Sequence, residues 1–550
     1  MDEEETDDAL AEFHRRREAI RGELGGVQRI ARLHARGELT VREHIDGLLD
    51  AGSFDEVGTF ARSARPEDFE STPGDGKVGG HGLIDGRAVT VAGDDITVKR
   101  GSSSVIGSKR VQTLFAHAAR CGHPIVYFGA TGGARIPDTL GSAGFSQVPP
   151  GAELFRRGRR IPMVTVIVGD SFGGSSFFSA ASDLVVQLRG TCLAVTSPLV
   201  VEVATGETVA MEELGGTQIH ARKTGQIDLA VDAPAEAYAQ VRRFLSYLPP
   251  NAWTRAQRTE AAGAGSLEAA SGMSRPSSGP GSGSGSGSAP GSTGSLEPDP
   301  ELGALVPARR SRAYDMRRVL RRVLDPESLF ELAPEFGRGL ISGLGRVDGH
   351  AVGVVASQPK FFAGALDPDA CEKAVRLICM CDAFDIPILF FQDVPGFFVG
   401  KQVEHDGMLK HAIRLQTALA LAQTPKLTML LRKSYGLAYF SLGGNDTGVD
   451  AVYSWPGAEI SFMDPSVAAN VVLGDQLEQL PEDERGARRA EVVQAITADT
   501  DPYGAAGLLK IDEIIDPADT RGVLARALGR LEGRARNDHQ PRPLASWPTR

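Results

Sequence analysis

The feature that most constrains this chain is that it repeats itself. The phrase Gly82-Leu-Ile-Asp85-Gly86-Arg-Ala-Val89-Thr-Val91 returns as Gly345-Arg-Val-Asp348-Gly349-His-Ala-Val352-Gly-Val354, an offset of 263 residues. The same offset carries Pro124 in HPIVYFGATGGAR onto Pro387 in IPILFFQDVPGFF. It also carries Pro162 in IPMVTVIVGDSFGGSSFF onto Pro425 in TPKLTMLLRKSYGLAYF, with Gly173 falling on Gly436. Three matches at one offset indicate an internal duplication. Between the copies the composition collapses to Gly, Ser, Pro and Ala over 261–306, a stretch with little to bury that is expected to be a disordered linker. The expected organisation is a helical arm over 1–50, a first unit over 51–260, this linker, and a second unit over 307–550.

Each Asp-Gly lies between alternating apolar runs, the pattern of a tight β-hairpin. The strands that follow, Ile125 to Phe128 and Val164 to Val168 in one copy, Ile386 to Phe391 and Leu427 to Leu431 in the other, are apolar throughout. Separated by helical stretches such as 152–160 and 407–423, they predict a buried parallel sheet in each copy, hence a duplicated α/β fold. With 41% hydrophobic and 23% charged residues and no run of about 18 apolar residues, the chain reads as soluble. The N-terminus has no apolar leader, which predicts a cytoplasmic protein. Five cysteines without paired zinc spacing predict reduced thiols and no metal. A net charge of −11 without a basic stripe excludes a nucleic-acid binder.

Chemistry is expected at the turns that follow the strands, because ligands of open α/β sheets sit beyond the strands' carboxyl ends. Four turns qualify: Thr131-Gly132-Gly133-Ala134-Arg135, Phe172-Gly173-Gly174-Ser175, Asp393-Val394-Pro395-Gly396-Phe397 and Tyr435-Gly436-Leu437-Ala438. A glycine turn opening a helix leaves backbone N–H groups unscreened and aimed at one point. Such a turn is either an oxyanion hole or merely a tight left-handed connection. Its recurrence at equivalent positions favours the hole at Gly173-Gly174.

The blocks TGGARI, GDSFGGSSFFSAASD, TGETVAMEELGGTQIH, QPKFFAGALDPDACEKAVRLICMCDAFDIPIL, QDVPGFFVGKQVEHDGMLKHA and LRKSYGLAYF resemble the β subunits of propionyl-CoA and acetyl-CoA carboxylases. These are the carboxyltransferase branch of the crotonase superfamily. The resemblance implies two tandem crotonase-like domains of ββα superhelix type, which transfer CO₂ from carboxybiotin to the α-carbon of an acyl-CoA. It implies that the amides of Gly173 and Gly174 polarise the thioester oxygen, with Gly132, Gly133, Ala134, Arg135 and Ser175 lining the acyl-CoA site. Leu437 and Ala438 then match the second oxyanion pair on the biotin side, with Gly436, Pro395, Gly396 and Phe397 around it. Phe440 matches a position associated with acyl-chain selection. No biotin-acceptor Met-Lys-Met and no ATP-grasp loop is present, so the resemblance places biotin on a separate polypeptide, a biotin carboxylase and carrier α subunit. It also implies a homo-oligomer, a hexamer, whose sites form between the N-half of one subunit and the C-half of another.

The family reads Gly-Gly-Ala-Tyr where this chain has Gly436-Leu437-Ala438-Tyr439. If position 437 needs a positive φ, leucine there costs about 1–2 kcal/mol. This leaves a second reading, a biotin-independent decarboxylase or acyl-transfer enzyme acting on malonyl- or methylmalonyl-type CoA thioesters, and a third, a non-catalytic scaffold. Among other residues, Asp406 reads as a helix N-cap rather than an acid–base partner of His405. His220 reads as a loop histidine or a phosphate contact, and Lys99, Arg100 and Lys109 as phosphate contacts or a solvated face.

Overall fold

A computed structural model describes residues 3–136, 138–147, 158–259, 296–534 and 542–547. The helical arm comprises α1 (Glu3–Glu23), α2 (Val27–His34) and α3 (Val41–Leu48). α3 opens on a reciprocal capping box in which Thr40 accepts from the Glu43 N–H and Glu43 from the Thr40 N–H. The first unit then runs β1 (Asp55–Glu56), β2 (Lys77–Ile84), β3 (Arg87–Asp94), α4 (Val105–Cys121), β4 (Ile125–Thr131), β5 (Met163–Phe172), α5 (Gly174–Ala180), β6 (Leu184–Leu188), β7 (Leu193–Ala194), β8 (Leu229–Val231) and α6 (Pro234–Tyr247). The second runs α7 (Met316–Val323), β9 (Phe330–Leu332), β10 (Leu340–Val347), β11 (His350–Ser357), α8 (Pro368–Phe384), β12 (Ile388–Val394), α9 (Met408–Leu421), β13 (Lys426–Tyr435), α10 (Gly436–Ser441), β14 (Ala451–Ser454), β15 (Glu459–Ser461) and β16 (Glu513–Ile514).

Each unit holds one sheet. The first has the order β1-β2-β3-β4-β5-β6-β8, with β7 added beside β5, and the second the order β16-β14-β13-β12-β11-β10-β9, with β15 added beside β13. A hairpin starts both, β2 antiparallel to β3 and β10 to β11, and the pairing from β3 to β6 and from β11 to β14 is parallel. The hairpin turns have Asp85 at φ 50° with Gly86 at 74°, and Asp348 at 51° with Gly349 at 78°. Two successive positive φ values match the strands' twist, which is why Asp-Gly stands there.

The offset of 263 read from the sequence holds in the backbone to the residue. β2, β3, β4, β5 and α4 map onto β10, β11, β12, β13 and α8 with identical bounds. The register break between Gly129 and Thr131 reappears between Gln392 and Val394. The left-handed residue that ends α4, Gly122, becomes Asp385 after α8.

The second unit begins earlier than the composition implied. Leu302 is buried in its core, Gly303–Leu305 form a helical turn, and both Arg322 nitrogens reach the Asp299 carboxylate at 2.6 Å. The linker expectation over 261–306 is therefore corrected at its far end, and 260–295 lie outside the described residues. So do 152–157 of the helix expected over 152–160; residues 158–160 form a turn. Among the described residues no helix is long and apolar enough to cross a membrane.

Candidate functional site

Three loops meet beyond the carboxyl ends of β3, β4 and β5. After β3 the chain turns through Lys99, Arg100 and Gly101, all at positive φ (47°, 58° and 62°). It is pinned to the loop after β4: Gly132 N donates to Arg100 O (2.9 Å), Ser103 N to Gly133 O (2.8 Å) and Arg135 N to Ser103 O (2.8 Å). The turn after β5 then abuts both loops. A Cβ on Gly173 would lie 3.6 Å from Gly133 Cα, and one on Gly174 would meet Ser103 Oγ at 3.4 Å.

Gly173, at φ 65° and ψ −121°, is the residue that must be glycine, since it reverses the chain from β5 into α5. Its N–H is not free. It donates to Val195 O at 3.1 Å, continuing the β5–β7 ladder, so the expectation that Gly173 supplies an oxyanion donor is corrected. The unpaired amides begin one residue later. Gly174 and Ser175 open α5, and their N–H groups reach no acceptor among the described residues, as expected for the first turn of a helix. The Ser175 side chain is buried and bonds the Ser171 hydroxyl.

The TGGAR segment divides. Gly132 and Gly133 form the loop against Gly173, and Ala134 bridges to Ser103. Arg135 turns inward. Its guanidinium is 4% exposed, ion-paired with Asp75 and donating to Ser102 Oγ at 3.3 Å. An arginine so neutralised does not reach a ligand, so its expected binding role is corrected to one of holding the loop.

The second site is built alike. Phe362, Ala363 and Gly364 repeat the strained turn at φ 51°, 54° and 84°, Leu366 bridges Phe397 as Ser103 bridges Ala134, and Gly396 at 138° matches Gly133 at 100°. Pro395 and Phe397 are half-buried beside it. The positive φ here belongs to Gly436 (60°), whereas Leu437 and Ala438 are helical residues of α10. The strain foreseen for Leu437 is therefore absent: the glycine that the turn needs has been kept, and the leucine occupies the position of Gly174. Leu437 is 63% exposed and Phe440, one turn on, 39%, while Ala438 is fully buried. The N–H groups of Leu437 and Ala438 have no acceptor among the described residues.

Electrostatically the two ends differ. A cleft of about 900 Å³ in the first unit is lined by Arg29, Arg32, Arg36, Lys99, Arg100 and Arg189 against three carboxylates, Glu38, Asp170 and Asp232. Arg29 and Arg32 donate to backbone carbonyls and pair with no acid among the described residues, whereas Arg36 pairs with Glu38 and Arg189 with Asp232. A smaller cavity in the second unit, about 340 Å³, shares with that cleft only the equivalent of Lys99; it is lined by Phe362, Phe398 and Val403 with Asp367, Asp369, Asp406 and His411. Its carboxylates repel one another: burial, and then Asp367, Asp406 and Glu372, push Asp369 up to about 6. The sequence reading missed Arg29, Arg32 and Arg36. The spacing of Arg29 and Arg32 places them on one face of α2, with Arg36 in the turn just beyond its end, a signal that was available.

Other residues proved structural. Asp406 does not cap α9, whose N-cap is Gly407 without a side-chain bond; it accepts from Gln402 at 2.9 Å. His220 spends both ring nitrogens, on Leu193 O and Thr224 Oγ1, and burial lowers its pKa. Lys99 bonds Asp68 at 3.1 Å while lining the cleft. Among the described residues no group of three metal-ligating side chains could hold an ion.

Residues 32–543 match the carboxyl transferase domain. A propionyl-CoA carboxylase carboxyltransferase subunit of Haloferax mediterranei is 36% identical over 95% of this chain and 96% of its own length. A protein of Bacillus subtilis described as a putative propionyl-CoA carboxylase beta chain is 35% identical over 97% and 98%. Among solved structures, transcarboxylase 12S, described as a hexamer and holding methylmalonyl-CoA and methylmalonic acid, superposes with a TM-score of 0.85 at 31% identity over 98% of this chain and 97% of that one.

Proposed function

From the premise that this chain belongs to the carboxyl transferase family, we propose that its first unit takes the acyl-CoA and its second the biotin. It is an acyl-CoA carboxyltransferase with two crotonase-like halves. One observation supports the division of labour: at the same place in the strained turn, Lys99 lines a cation-rich cleft in the first unit and its equivalent Phe362 lines a cavity with a second phenyl ring in the other. Coenzyme A is a polyanion and suits the cleft with six cations. Biotin presents a neutral, largely apolar bicycle with one ureido oxygen, which suits a unit that offers phenyl rings and, at Leu437 and Ala438, two free amides.

At the first turn the amides of Gly174 and Ser175 point where charge develops on the thioester oxygen as the α-carbon becomes an enolate. Two donors held rigid before reaction lower that barrier, and losing one costs about 10²–10³ in rate. Gly173 positions them, and Arg135 holds the neighbouring loop through Asp75. Carboxybiotin, when bound, supplies the CO₂, and the Leu437 and Ala438 amides hold the oxygen of its ring. Leu437 does not bar this role, because an amide donates alike from leucine and glycine. The biotin-independent reading rested on strain at Leu437 and loses that support.

Biotin on a separate carrier and carboxylase subunit, and assembly into a hexamer, belong to the same proposal. Large apolar side chains are exposed in both units, Val195 beside Gly173 with Leu199 and Val203 in the first and Phe462 beside Gly436 with Val471 and Leu509 in the second, as surfaces meant to be covered. Five free cysteines, three of them buried in α8, fit a reducing compartment such as the cytoplasm.

The test is decarboxylation of methylmalonyl-CoA with and without free biotin. Turnover that requires biotin is expected; equal turnover without it would return the biotin-independent reading. Gly174→Pro deletes one amide at a first-turn position that tolerates proline, and it should lower kcat about 100-fold or more.

A further inference from the structure

Three consecutive serines follow the strained turn after β3, and their side chains are not used alike. Ser102 Oγ donates to Lys99 O at 2.7 Å and accepts from Arg135 Nε at 3.3 Å. Ser104 Oγ bonds Asp75 and caps α4 by accepting from Gly107 N at 3.0 Å. The hydroxyl of Ser103 bonds no described residue. It is half-buried, and it is the atom that faces Gly174, 3.4 Å from where a Cβ on that glycine would stand. The backbone holds it there firmly, since Ser103 N and O both bond the loop after β4 at 2.8 Å.

The fold itself does not ask for this hydroxyl. At the equivalent place in the second unit the residue is Leu366, fully buried, and the same backbone bridge forms there to Phe397. A polar atom that the architecture can do without, with no partner among the described residues and set beside Gly174, is placed for a ligand.

We propose that the Ser103 hydroxyl is a third hydrogen-bond donor to the thioester oxygen of the acyl-CoA, beside the Gly174 and Ser175 amides. This rests on reading the first turn as the acyl-CoA site, and it explains an asymmetry between the units. The enolate carries more developing charge than a ureido oxygen between two nitrogens that share it, so the first hole has three donors and the second has two. The hydroxyl keeps its proton throughout and strengthens its bond as the oxygen becomes negative, so its effect falls on kcat rather than on KM.

The experiment compares Ser103→Ala, Ser103→Thr and Gly174→Pro in the assembled protein, using methylmalonyl-CoA with free biotin. For Ser103→Ala the expected result is a kcat at least about 10-fold lower, KM within about twofold and melting temperature unchanged, with Ser103→Thr restoring most of the rate. Wild-type kcat in Ser103→Ala alongside an impaired Gly174→Pro overturns the assignment of Ser103 alone. A Ser103→Ala loss that comes with a raised KM or a lowered melting temperature overturns it too, by making the hydroxyl structural. Full activity in Gly174→Pro overturns the underlying reading of the site instead.

Discussion

Replacing Gly173 and replacing Gly174 should have opposite signatures, because adjacent glycines serve different ends. Gly173 has φ 65° and ψ −121°, and any side chain there is strained by about 1–3 kcal/mol; Gly173→Ala should lower the melting temperature. A Cβ on Gly174 meets only Ser103 Oγ, at ordinary contact distance, so Gly174→Ala, which keeps the N–H, should melt like the parent, while Gly174→Pro, which deletes it, should report through the rate. Leu437 offers a test of sign. Were it strained, Leu437→Gly would stabilise the protein by about 1–2 kcal/mol. As a residue of α10 with helical dihedrals it should instead destabilise, by up to about 1 kcal/mol, which thermal melting distinguishes. At the first turn the sequence reading began the free amides one residue too early, at Gly173. The reason is β7, a strand of two residues that no periodicity reveals and that consumes the Gly173 amide.

At the scale of elements, the duplication extends to buried cations that do no chemistry. Arg110 on α4 reaches the carbonyls of Gly74 and Lys77, and Lys373, 263 residues on, donates to those of Phe336 and Leu340 at 3.0 Å. Each fastens the loop ahead of the first long strand to the helix behind it. Burial lowers Lys373 to about 8, and its ammonium is spent on the carbonyls of Phe336 and Leu340, so its shift marks structure rather than a site. The arm supplies a pH-dependent contact. His44 on α3 meets Tyr238 Oη on α6 at 2.7 Å and stacks on Phe128 with ring centroids 5.5 Å apart. Burial lowers it to about 4. The folded value lies below the unfolded one of about 6.5, so the unfolded chain binds the proton first. This contribution is complete above about pH 6.5 and is lost as pH falls toward 4. Melting temperatures between pH 4 and 7 should fall on acidification with a shallower slope in His44→Gln; an unchanged slope would remove His44 from the account. Strands, hairpins and arm were legible because their apolar patterns repeat. The end of the linker was not, because Leu302 and Leu305 sit among prolines and acids, and only burial shows that they belong to the core.

At the scale of the whole molecule, the question is how the CoA site proposed for one unit and the biotin site proposed for the other come to serve one reaction. The two sheets carry their turns separately, and both units leave large apolar side chains in solvent, Val203 at 81% exposed in the first and Leu509 at 91% in the second. Surfaces of that kind are costly on a lone subunit and natural at an interface between copies. If the first turn of one copy faces the second turn of another, Leu199→Asp should split the assembly in sedimentation and abolish turnover while leaving the far-ultraviolet circular dichroism intact. Complementation carries the argument further. Gly174→Pro removes an amide from the first site and Leu437→Pro one from the second, so each variant alone is inactive. Co-assembled in equal amounts, they create sites in which an intact first unit from one chain faces an intact second unit from the other. Random pairing within a two-fold assembly makes those sites about a quarter of the total, and activity should return to about that fraction of wild type. If each chain completed its own site, every site would carry one of the two defects and mixing would restore nothing. The recovered rate therefore decides between shared and self-contained sites without requiring any knowledge of which acyl group is carried.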